Sequence, residues 1–514
     1  MLKIGEFAKL FNVSLKTIRF YEEKNLLKPA YIDEFSGYRY YDDYNIETMR
    51  KILYLKDLGF SLDEIKNYND EIVQYKINEY KKAIEKLTTN ISILEEKLLT
   101  NNRDYKTSTA KEKYIESVTN ILKKKGGTKM FEENNNIYGI LSKEEGLVLG
   151  KGIYLPSDKR GNTNCLLVAG SGAGKSASYV IPNIYRTLGS YVVTDPLGEI
   201  YEKTHEYMKN HGYIVKTINY ANSQDNYNYD PINHINSDRD IEVLADILIG
   251  DNNDPFWDDS AKILVKAIIY YILEKAEKKN LLTLFYLLSE GKEALFSKFD
   301  ELEKDSKGDK YARLIKTFPE KTYASVASTA LVRVSFIINK YSSDIVFDEK
   351  INFSQLYDQK TIFYISFNES NKDDQKLANI FVAQVLSQLE KREDVNENIY
   401  FLLDAVGMLG KIQDLGTHIL TSRGRKLSIS LISNSFSNLE KIYGDEIYTM
   451  LNTIDTQMLL GTNIQSDIDY FSQILGVDEN EIRTLDRDKL LIFEKGLKAI
   501  LAEKDYFFNH DEWK

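Results

Sequence analysis

The chain has 514 residues, of which 43% are hydrophobic, and its formal net charge is −11. This length and composition suit about three domains with hydrophobic cores and exclude an intrinsically disordered protein. The single cysteine, Cys165, excludes an intramolecular disulfide or a multi-cysteine metal site. The strongest apolar stretch, 263–273, contains Lys266 and is shorter than the roughly 20 residues that cross a bilayer. We therefore predict a cytoplasmic protein without an integral membrane segment.

The N-terminal residues have the pattern of two short helices joined by a tight turn. Apolar residues recur at helical spacing from Ile4 to Phe11, and Ser14 can cap a second helix over 15–23. The elements that follow are a turn at Ser36-Gly37, a wing over 38–41 and helices over 46–58 and 61–65. This order of elements predicts a winged helix-turn-helix.

Five segments in this region resemble the MerR-type winged helix-turn-helix in order and spacing. They are Ile4-Gly5-Glu6-Phe7-Ala8, Thr17-Ile18-Arg19-Phe20-Tyr21-Glu22, Leu26-Leu27-Lys28-Pro29, Gly37-Tyr38-Arg39-Tyr40-Tyr41 and Leu58-Gly59-Phe60-Ser61-Leu62-Asp63-Glu64-Ile65. The resemblance implies that residues 1–70 bind double-stranded DNA, with a recognition helix over 15–23 in the major groove. The residues expected to contact DNA are Lys16, Arg19, Tyr21, Tyr38 and Arg39. The alternative is a solvated basic face, or tyrosines packed in a small core.

A heptad pattern follows the DNA-binding domain. Its apolar positions are Val73, Ile77, Tyr80, Ile84, Leu87, Ile91, Leu94 and Leu98. Lys and Glu fill most of the positions between them, so residues 71–128 are predicted to form a coiled-coil dimerisation helix with a basic linker at 123–127. A helix in this position joins the dimers of MerR-type proteins. A helix packed on its own domain is the alternative.

The next motif is a glycine-rich loop between a predicted strand and a predicted helix. The apolar run 166–168 leads into Ala169-Gly170-Ser171-Gly172-Ala173-Gly174-Lys175-Ser176, which fits a P-loop with Ala169 in place of the first glycine. The residues predicted to bind ATP are Gly170, Ser171, Gly172, Ala173, Gly174, Lys175, Ser176 and Ala177. Lys175 would reach the β- and γ-phosphates, and Ser176 would bind Mg²⁺.

Further strands and helices alternate through the body, which predicts an α/β fold with a parallel sheet. The strand candidates after the loop are 191–194, 362–367, 399–403, 428–432 and 457–460. Residues 255–345 show only helical periodicity and are predicted to be an all-helical insertion. Asp404, directly after an apolar strand, is the predicted second acid of the Mg²⁺ site.

A set of motifs over residues 135–480 resembles the type IV coupling proteins, the conjugative DNA-transfer ATPases of the FtsK/HerA branch. They are Gly150, the P-loop with Ile181-Pro182-Asn183, the turn Asp195-Pro196-x-Gly198-Glu199, Phe256-Trp257, Ser328-Thr329-Ala330, Gly410-Lys411-Ile412, Ser422-Arg423-Gly424-Arg425, Ser435-Phe436-Ser437-Asn438-Leu439 and Tyr443-Gly444. The resemblance implies a RecA-like motor over 129–514 that forms a hexameric ring, pumps DNA with ATP, and links a relaxase–DNA complex to a secretion channel. Catalysis would use Lys175, Asp404 and Arg423, with Arg423 as an arginine finger; a surface salt bridge is the alternative for Arg423.

Three positions depart from that family. Ala405 stands where a glutamate is expected to orient the attacking water, Asn434 where a glutamine senses the γ-phosphate, and Leu197 where a lysine is usual. Nucleotide binding should survive these changes, whereas hydrolysis is at risk because phosphoryl transfer depends on positioning. Glu199 and Asp414 are candidate substitutes for the missing acid. Family members usually begin with transmembrane helices, so partners would have to recruit this chain to a membrane.

The sequence is compatible with two functions. The first is a coupling-protein homologue whose N-terminal domain grips DNA of a mobile element while the body moves or delivers it. The second is a MerR-like transcriptional regulator whose degenerate ATPase body is a nucleotide-dependent assembly switch. The intact P-loop, Asp404 and Arg423 favour the first, and Ala405 and Asn434 favour the second. The coiled coil predicts pairs and the motor predicts six copies, which a trimer of dimers would reconcile.

Overall fold

The computed structural model describes most of the chain and divides it into two compact units, Met1–Thr107 and Ser108–Lys514. The described residues are 1–11, 13–34, 36–57, 60–70, 72–77, 109–124, 137–157, 162–221, 229–250, 254–341, 351–389 and 398–513. No helix among them is long and apolar enough to cross a membrane.

The first unit is a small helical domain with a three-stranded antiparallel sheet. Its elements are β1 Leu2–Lys3, α1 Ile4–Leu10, α2 Leu15–Glu23, β2 Tyr31–Ile32, β3 Arg39–Tyr41, α3 Asp43–Asp57 and α4 Leu62–Lys66, with sheet order β1-β3-β2. Ser14 caps α2 by accepting a hydrogen bond from the Thr17 N–H at 3.0 Å. The fully buried rings of Phe7 and Tyr41 stack in the core, with centroids 4.3 Å apart. The predicted helices and wing are therefore present.

The coiled-coil prediction falls mostly outside the described residues. Residues 72–77 are helical, which includes the seam positions Val73 and Ile77, and Ile77 is 41% exposed. The other six seam positions lie outside the described residues, so the coiled coil stays a prediction.

The predicted start of the body at residue 129 is wrong, because helix α5, Ala110–Lys124, belongs to the second unit. Tyr114 and Val118, four residues apart, are buried in the main core of that unit. The Tyr114 hydroxyl also accepts a hydrogen bond from Gln457 Nε2 at 2.5 Å. An amphipathic helix must cover its apolar face, and this one packs on the body rather than in the coiled coil predicted for residues 71–128.

The second unit is built on a nine-stranded sheet with helices on both faces. Its strands are β6 Cys165–Val168, β7 Ser190–Thr194, β8 Ile214–Asn219, β9 Thr361–Ser366, β10 Ile399–Leu403, β11 Leu427–Ser433, β12 Thr456–Leu459, β13 Lys489–Glu494 and β14 Ile500–Glu503, in the order β14-β13-β12-β6-β11-β10-β7-β9-β8. The strands from β12 to β8 are parallel, and β13 and β14 are antiparallel additions. A hairpin, β4 Leu147–Gly150 and β5 Ile153–Leu155, precedes the sheet.

Every strand predicted in the body is present to within a residue or two, while β8, β13 and β14 were not predicted. The helices of this unit, after α5, are α6 Ile181–Tyr185, α7 Glu199–Asn210, α8 Asp238–Ile249, α9 Pro255–Lys275, α10 Leu281–Ser289, α11 Lys292–Phe299, α12 Lys307–Lys316, α13 Glu320–Val334, α14 Ile337–Lys340, α15 Gln355–Asp358, α16 Lys372–Leu389, α17 Leu415–Thr421, α18 Phe436–Tyr443, α19 Glu446–Leu451, α20 Gln465–Leu475 and α21 Glu479–Arg483. Between β8 and β9, the described residues contain helices and no strand.

Candidate nucleotide-binding site and DNA interface

The P-loop follows β6 at the carboxyl edge of the parallel sheet, where ligands of open α/β sheets bind. Gly172 and Gly174 have φ of +74° and +85°, which residues with a Cβ rarely adopt, and these angles turn the chain back toward the helix. Ala169 is fully buried, and its N–H donates to the Ser433 carbonyl at 3.0 Å. A small residue therefore suffices at this position, because it only continues the pairing of β6 with β11.

The helix after the loop is fastened to the body by an asparagine. Residues Ser176–Val180 form a π-helical turn that continues into α6. Asn183 in α6 is fully buried; its Oδ1 accepts from the Val148 N–H at 2.7 Å, and its Nδ2 donates to the Val148 carbonyl at 3.1 Å. This pairing with β4 gives the Ile181-Pro182-Asn183 motif a structural role, since it fixes the helix that follows the P-loop.

The functional side chains of three neighbouring strands meet at the loop. Lys175 Nζ donates to Asn434 Oδ1 at 2.8 Å, and Ser176 Oγ donates to Asp404 Oδ2 at 2.9 Å. Asp404 ends β10 and is 4% exposed, and its carbonyl accepts from the Thr194 hydroxyl at 2.7 Å. The structure thus brings together the predicted lysine, the predicted Mg²⁺ ligands and Asn434 at the predicted sensor position.

The donor set fits Mg²⁺ held with a nucleotide. Ser176 supplies a hydroxyl oxygen and Asp404 a carboxylate oxygen, and Mg²⁺ takes one or two protein ligands alongside phosphates and waters. Groups of three or more His, Cys, Asp or Glu side chains that could hold a metal by themselves are absent from the part of the chain that the structure describes. The ion would therefore depend on the nucleotide for the rest of its coordination.

Burial and charge set the protonation of the acids at this edge. Burial raises the pKa of Asp404, and the positive charge of Lys175 and the hydrogen bond from Ser176 oppose that rise. Burial also raises the pKa of Asp195, at the end of β7, to about 6, although its carboxyl accepts the N–H of Tyr201 at 2.8 Å. A bound divalent cation would favour the ionised form of both acids.

The position of the missing glutamate is buried. Ala405 is 5% exposed with φ of +54°, and its N–H donates to Asp404 Oδ1 at 2.8 Å. Of the two candidate substitutes, Asp414 forms an ion pair with Arg239, while Glu199 is exposed in the first turn of α7, where its charge raises the pKa of Asp195. In the part of the chain that the structure describes, neither carboxylate forms a hydrogen bond or ion pair with the P-loop.

Two further residues at the site were not predicted from the sequence. Glu369, just after β9, lies close enough for its charge to raise the pKa of Asp404. Lys504 is 4% exposed, and its Nζ donates to the carbonyls of Ala173 at 2.9 Å, Leu460 at 3.0 Å and Arg487 at 2.6 Å. Glu369 could have been predicted, because it is an acidic residue shortly after the predicted strand 362–367. No motif pointed to Lys504, which lies in the C-terminal residues beyond the matched motifs.

Arg423 lies at the opposite edge of the sheet from its own P-loop. It is exposed in the 3-10 turn Ser422–Arg425, which precedes the amino end of β11, whereas Ser433 at the other end of β11 contacts the P-loop. A seven-residue strand spans about 20 Å, so Arg423 is far from the nucleotide of its own chain. Among the described residues it forms no ion pair, so the salt-bridge alternative is not observed.

The first unit presents two of the predicted DNA-contacting residues on one face of α2. Lys16 and Arg19, three positions apart, are both exposed, as is Tyr38 in the wing at 57%. Arg39 Nε donates to Glu22 Oε2 at 2.9 Å, so this arginine also positions the wing against α2.

The prediction that Tyr21 contacts DNA is wrong for this structure. Tyr21 is 3% exposed and packs in the core of the first unit with Ile18, on the face of α2 opposite the exposed basic residues. Burial raises the pKa of its hydroxyl. The alternative, a tyrosine packed in a small core, is what the structure shows.

Comparisons with known proteins agree with both parts of this description. Residues 110–478 match the family model described as type IV secretory system conjugative DNA transfer, and residues 2–72 match that of the MerR HTH family regulatory proteins. The bacterial conjugative coupling protein TrwB, lacking 70 N-terminal residues, has a similar fold, with a TM-score of 0.59 and 15% identity over 73% of this chain and 93% of that chain. The fold of the body is therefore that of a coupling protein.

Curated relatives match each part separately. The multidrug-efflux transporter 1 regulator of Bacillus subtilis is 45% identical over 67 residues, which are 13% of this chain and 24% of the relative. The probable conjugal transfer protein TraG of Sinorhizobium fredii is 22% identical over 64% of this chain and 54% of the relative. The chain spans from about a quarter to under half of the length of the first MerR-type relatives it matches. With its family match over most of its length, the chain belongs to the type IV secretory system conjugative DNA transfer family and carries a MerR-type helix-turn-helix at its N-terminus.

Proposed function

We propose that the chain is a coupling protein that binds double-stranded DNA through its first unit and uses ATP and Mg²⁺ in its second unit to move or deliver mobile-element DNA to a type IV secretion or conjugation apparatus. The proposal rests on two hydrogen bonds at the P-loop, one from Lys175 to Asn434 and one from Ser176 to Asp404. TrwB, whose fold is similar, has been crystallised with a non-hydrolysable ATP analogue and with ADP and Mg²⁺.

The position of Arg423 supports an assembled ring. Because it is exposed at the sheet edge remote from its own P-loop, a γ-phosphate contact is open to it only across a subunit interface. A motor that completes its site with a neighbour's arginine has to oligomerise before it turns over efficiently. We therefore propose a hexamer built from dimers, which the coiled coil predicted after the DNA-binding domain would join. Relaxase and channel proteins would be the partners that recruit it to the membrane.

A nucleotide-dependent switch is the second candidate. Ala405 favours it, since its buried methyl group supplies no acid to orient water beside Asp404. In this function the MerR-type unit would regulate transcription, and ATP binding to the body would control assembly.

ATP turnover with and without DNA separates the two functions. We expect the motor to show DNA-stimulated hydrolysis at least about tenfold above the background of Lys175→Ala, because DNA in a ring brings Arg423 and the neighbouring site together. The loss of that stimulation in Arg423→Ala, with the mass of the assembly unchanged, would support the trans arginine. Normal nucleotide binding without any DNA-stimulated turnover would overturn the motor and favour the switch.

For the first unit, we expect Arg19→Ala to remove a two-fold footprint on the target DNA. Arg19 is exposed on the recognition helix, and an arginine bound to base edges contributes about 1–3 kcal/mol of discrimination. Footprinting of the full chain on its own upstream DNA would measure this. Tyr21→Phe is the matched control, since Tyr21 is buried, and it should leave the footprint in place. Uniformly weak, strongly salt-dependent binding by the unmodified chain would instead indicate a non-specific grip.

A further inference from the structure

We propose that the base of the bound nucleotide stacks on an aromatic platform, formed by Tyr506 and Phe508, which the C-terminal residues hold beside the P-loop. The proposal rests on the proposed nucleotide-binding function. It assigns a ligand subsite to residues 504–508, which lie outside the residues that match the family model.

The platform lines a cavity that is continuous with the P-loop. The cavity has a volume of about 880 Å³ and is lined by Gly172, Gly174 and Ala177 on the P-loop side and by Arg487, Tyr506 and Phe508 on the C-terminal side. Ligand pockets commonly measure about 300–1,000 Å³, so a nucleoside fits beside the loop. Ala177 directly follows Ser176, whose hydroxyl faces the metal site.

The strand order determines which end of the nucleotide reaches this cavity. Asn434 and Asp404, which contact Lys175 and Ser176, follow β11 and β10 on one side of β6. The metal and the terminal phosphates therefore belong on that side. The other neighbour of β6 is β12, followed by β13 and β14, and Tyr506 and Phe508 come just after β14. A triphosphate lying along the loop would point its ribose and base toward them.

The two rings stack on each other, so the base would stack on the exposed face of Phe508 and not between the rings. Their centroids are 5.0 Å apart and their planes differ by 12°. The Tyr506 hydroxyl donates to Asp488 Oδ1 at 3.2 Å. The Tyr506 ring packs closely on the P-loop at Gly174, where a Cβ would lie 3.2 Å from the ring atom Cε1. Phe508 is 52% exposed, so it offers ring surface to a ligand. Every base has an aromatic face, so such a platform holds bases without distinguishing them strongly.

Lys504 fixes this segment against the loop. Its buried ammonium donates to one carbonyl of the P-loop, one after β12 and one after α21, so three separate parts of the chain converge on it. The residues that follow at once are therefore held at the loop before any nucleotide binds. Preorganisation of this kind lowers the ordering cost of binding.

Binding of Mg²⁺-ATP and of inorganic tripolyphosphate to the full chain, measured by calorimetry, tests the platform. We expect Phe508→Ala to weaken ATP binding by about tenfold and to leave tripolyphosphate binding unchanged, because only ATP carries a base. Phe508→Trp should restore the affinity for ATP. Tyr286→Ala, which removes a similarly exposed ring from α10, is the matched control and should change neither affinity.

The outcomes separate this proposal from the proposed function. Equal weakening of ATP and tripolyphosphate binding in Phe508→Ala would show that the residue only supports the loop, and unchanged ATP binding would place the base elsewhere; either result overturns the platform while nucleotide binding stands. Failure of the unmodified chain to bind either ligand would overturn the proposed function, and the platform with it.

Discussion

Replacing Ala405 by glutamate is expected to raise the rate of ATP hydrolysis by about 100-fold or more, the usual contribution of a positioned acid–base group. The residue directly follows Asp404, whose carboxylate contacts Ser176 of the P-loop at 2.9 Å. A carboxylate added here would therefore enter the site next to the metal and the γ-phosphate. The measurement is single-turnover hydrolysis at saturating Mg²⁺-ATP, with and without DNA.

The backbone at this position favours the substitution. Ala405 already has a φ of +54°, so replacing it by glutamate should add little backbone strain. Its longer side chain must find room, because Ala405 is only 5% exposed. Comparison of thermal melting with that of the unmodified chain reports any loss of packing.

The matched control is Ala405→Gln, which adds nearly the same volume without an ionisable group. We expect Ala405→Gln to leave hydrolysis near the original rate, so that a gain confined to glutamate identifies the carboxylate as the missing element. A folded Ala405→Glu variant that binds ATP and hydrolyses it no faster would mean that another acid already performs the role. Glu369 would then be the first residue to replace, since its charge already acts on Asp404.

The sequence predicted the centre of the sheet well, because the P-loop and the apolar strands around it carry strong local signals. β6 and β10 are continuous apolar runs, and β11 interleaves serines with Leu and Ile; all three strands are buried on both faces. Asp404 directly follows β10, and Asn434 directly follows β11. The carboxyl ends of parallel strands lie at the same edge of a sheet, so Asp404 and Asn434 were expected to lie close to the P-loop. Both family resemblances were confirmed by the comparisons.

The edges of the sheet and the core of the first unit were harder to predict. β8 has partly exposed residues and only weak alternation, and β13 and β14 are added antiparallel after the last parallel strand. Tyr21 belongs to the same helix as the basic residues, and only the packing of α2 against the rest of the first unit decides that its ring points inward. Lys504 makes its contacts with backbone carbonyls, which have no sequence signature.

Replacing Lys175 by alanine is expected to weaken Mg²⁺-ATP binding by about 100-fold, since charge-assisted contacts with phosphate contribute about 1.5–3 kcal/mol each. In the free protein Lys175 donates to the neutral oxygen of Asn434, a weaker partner than a phosphate, so the lysine is free to exchange one for the other. Lys203→Ala, which removes an exposed lysine from α7, is the matched control and should bind ATP normally. Calorimetric titration with ATP would measure both variants. A Lys175→Ala variant that melts like the original chain and still binds ATP with unchanged affinity would show that the loop is not a nucleotide site, and with it both the motor and the switch would fail.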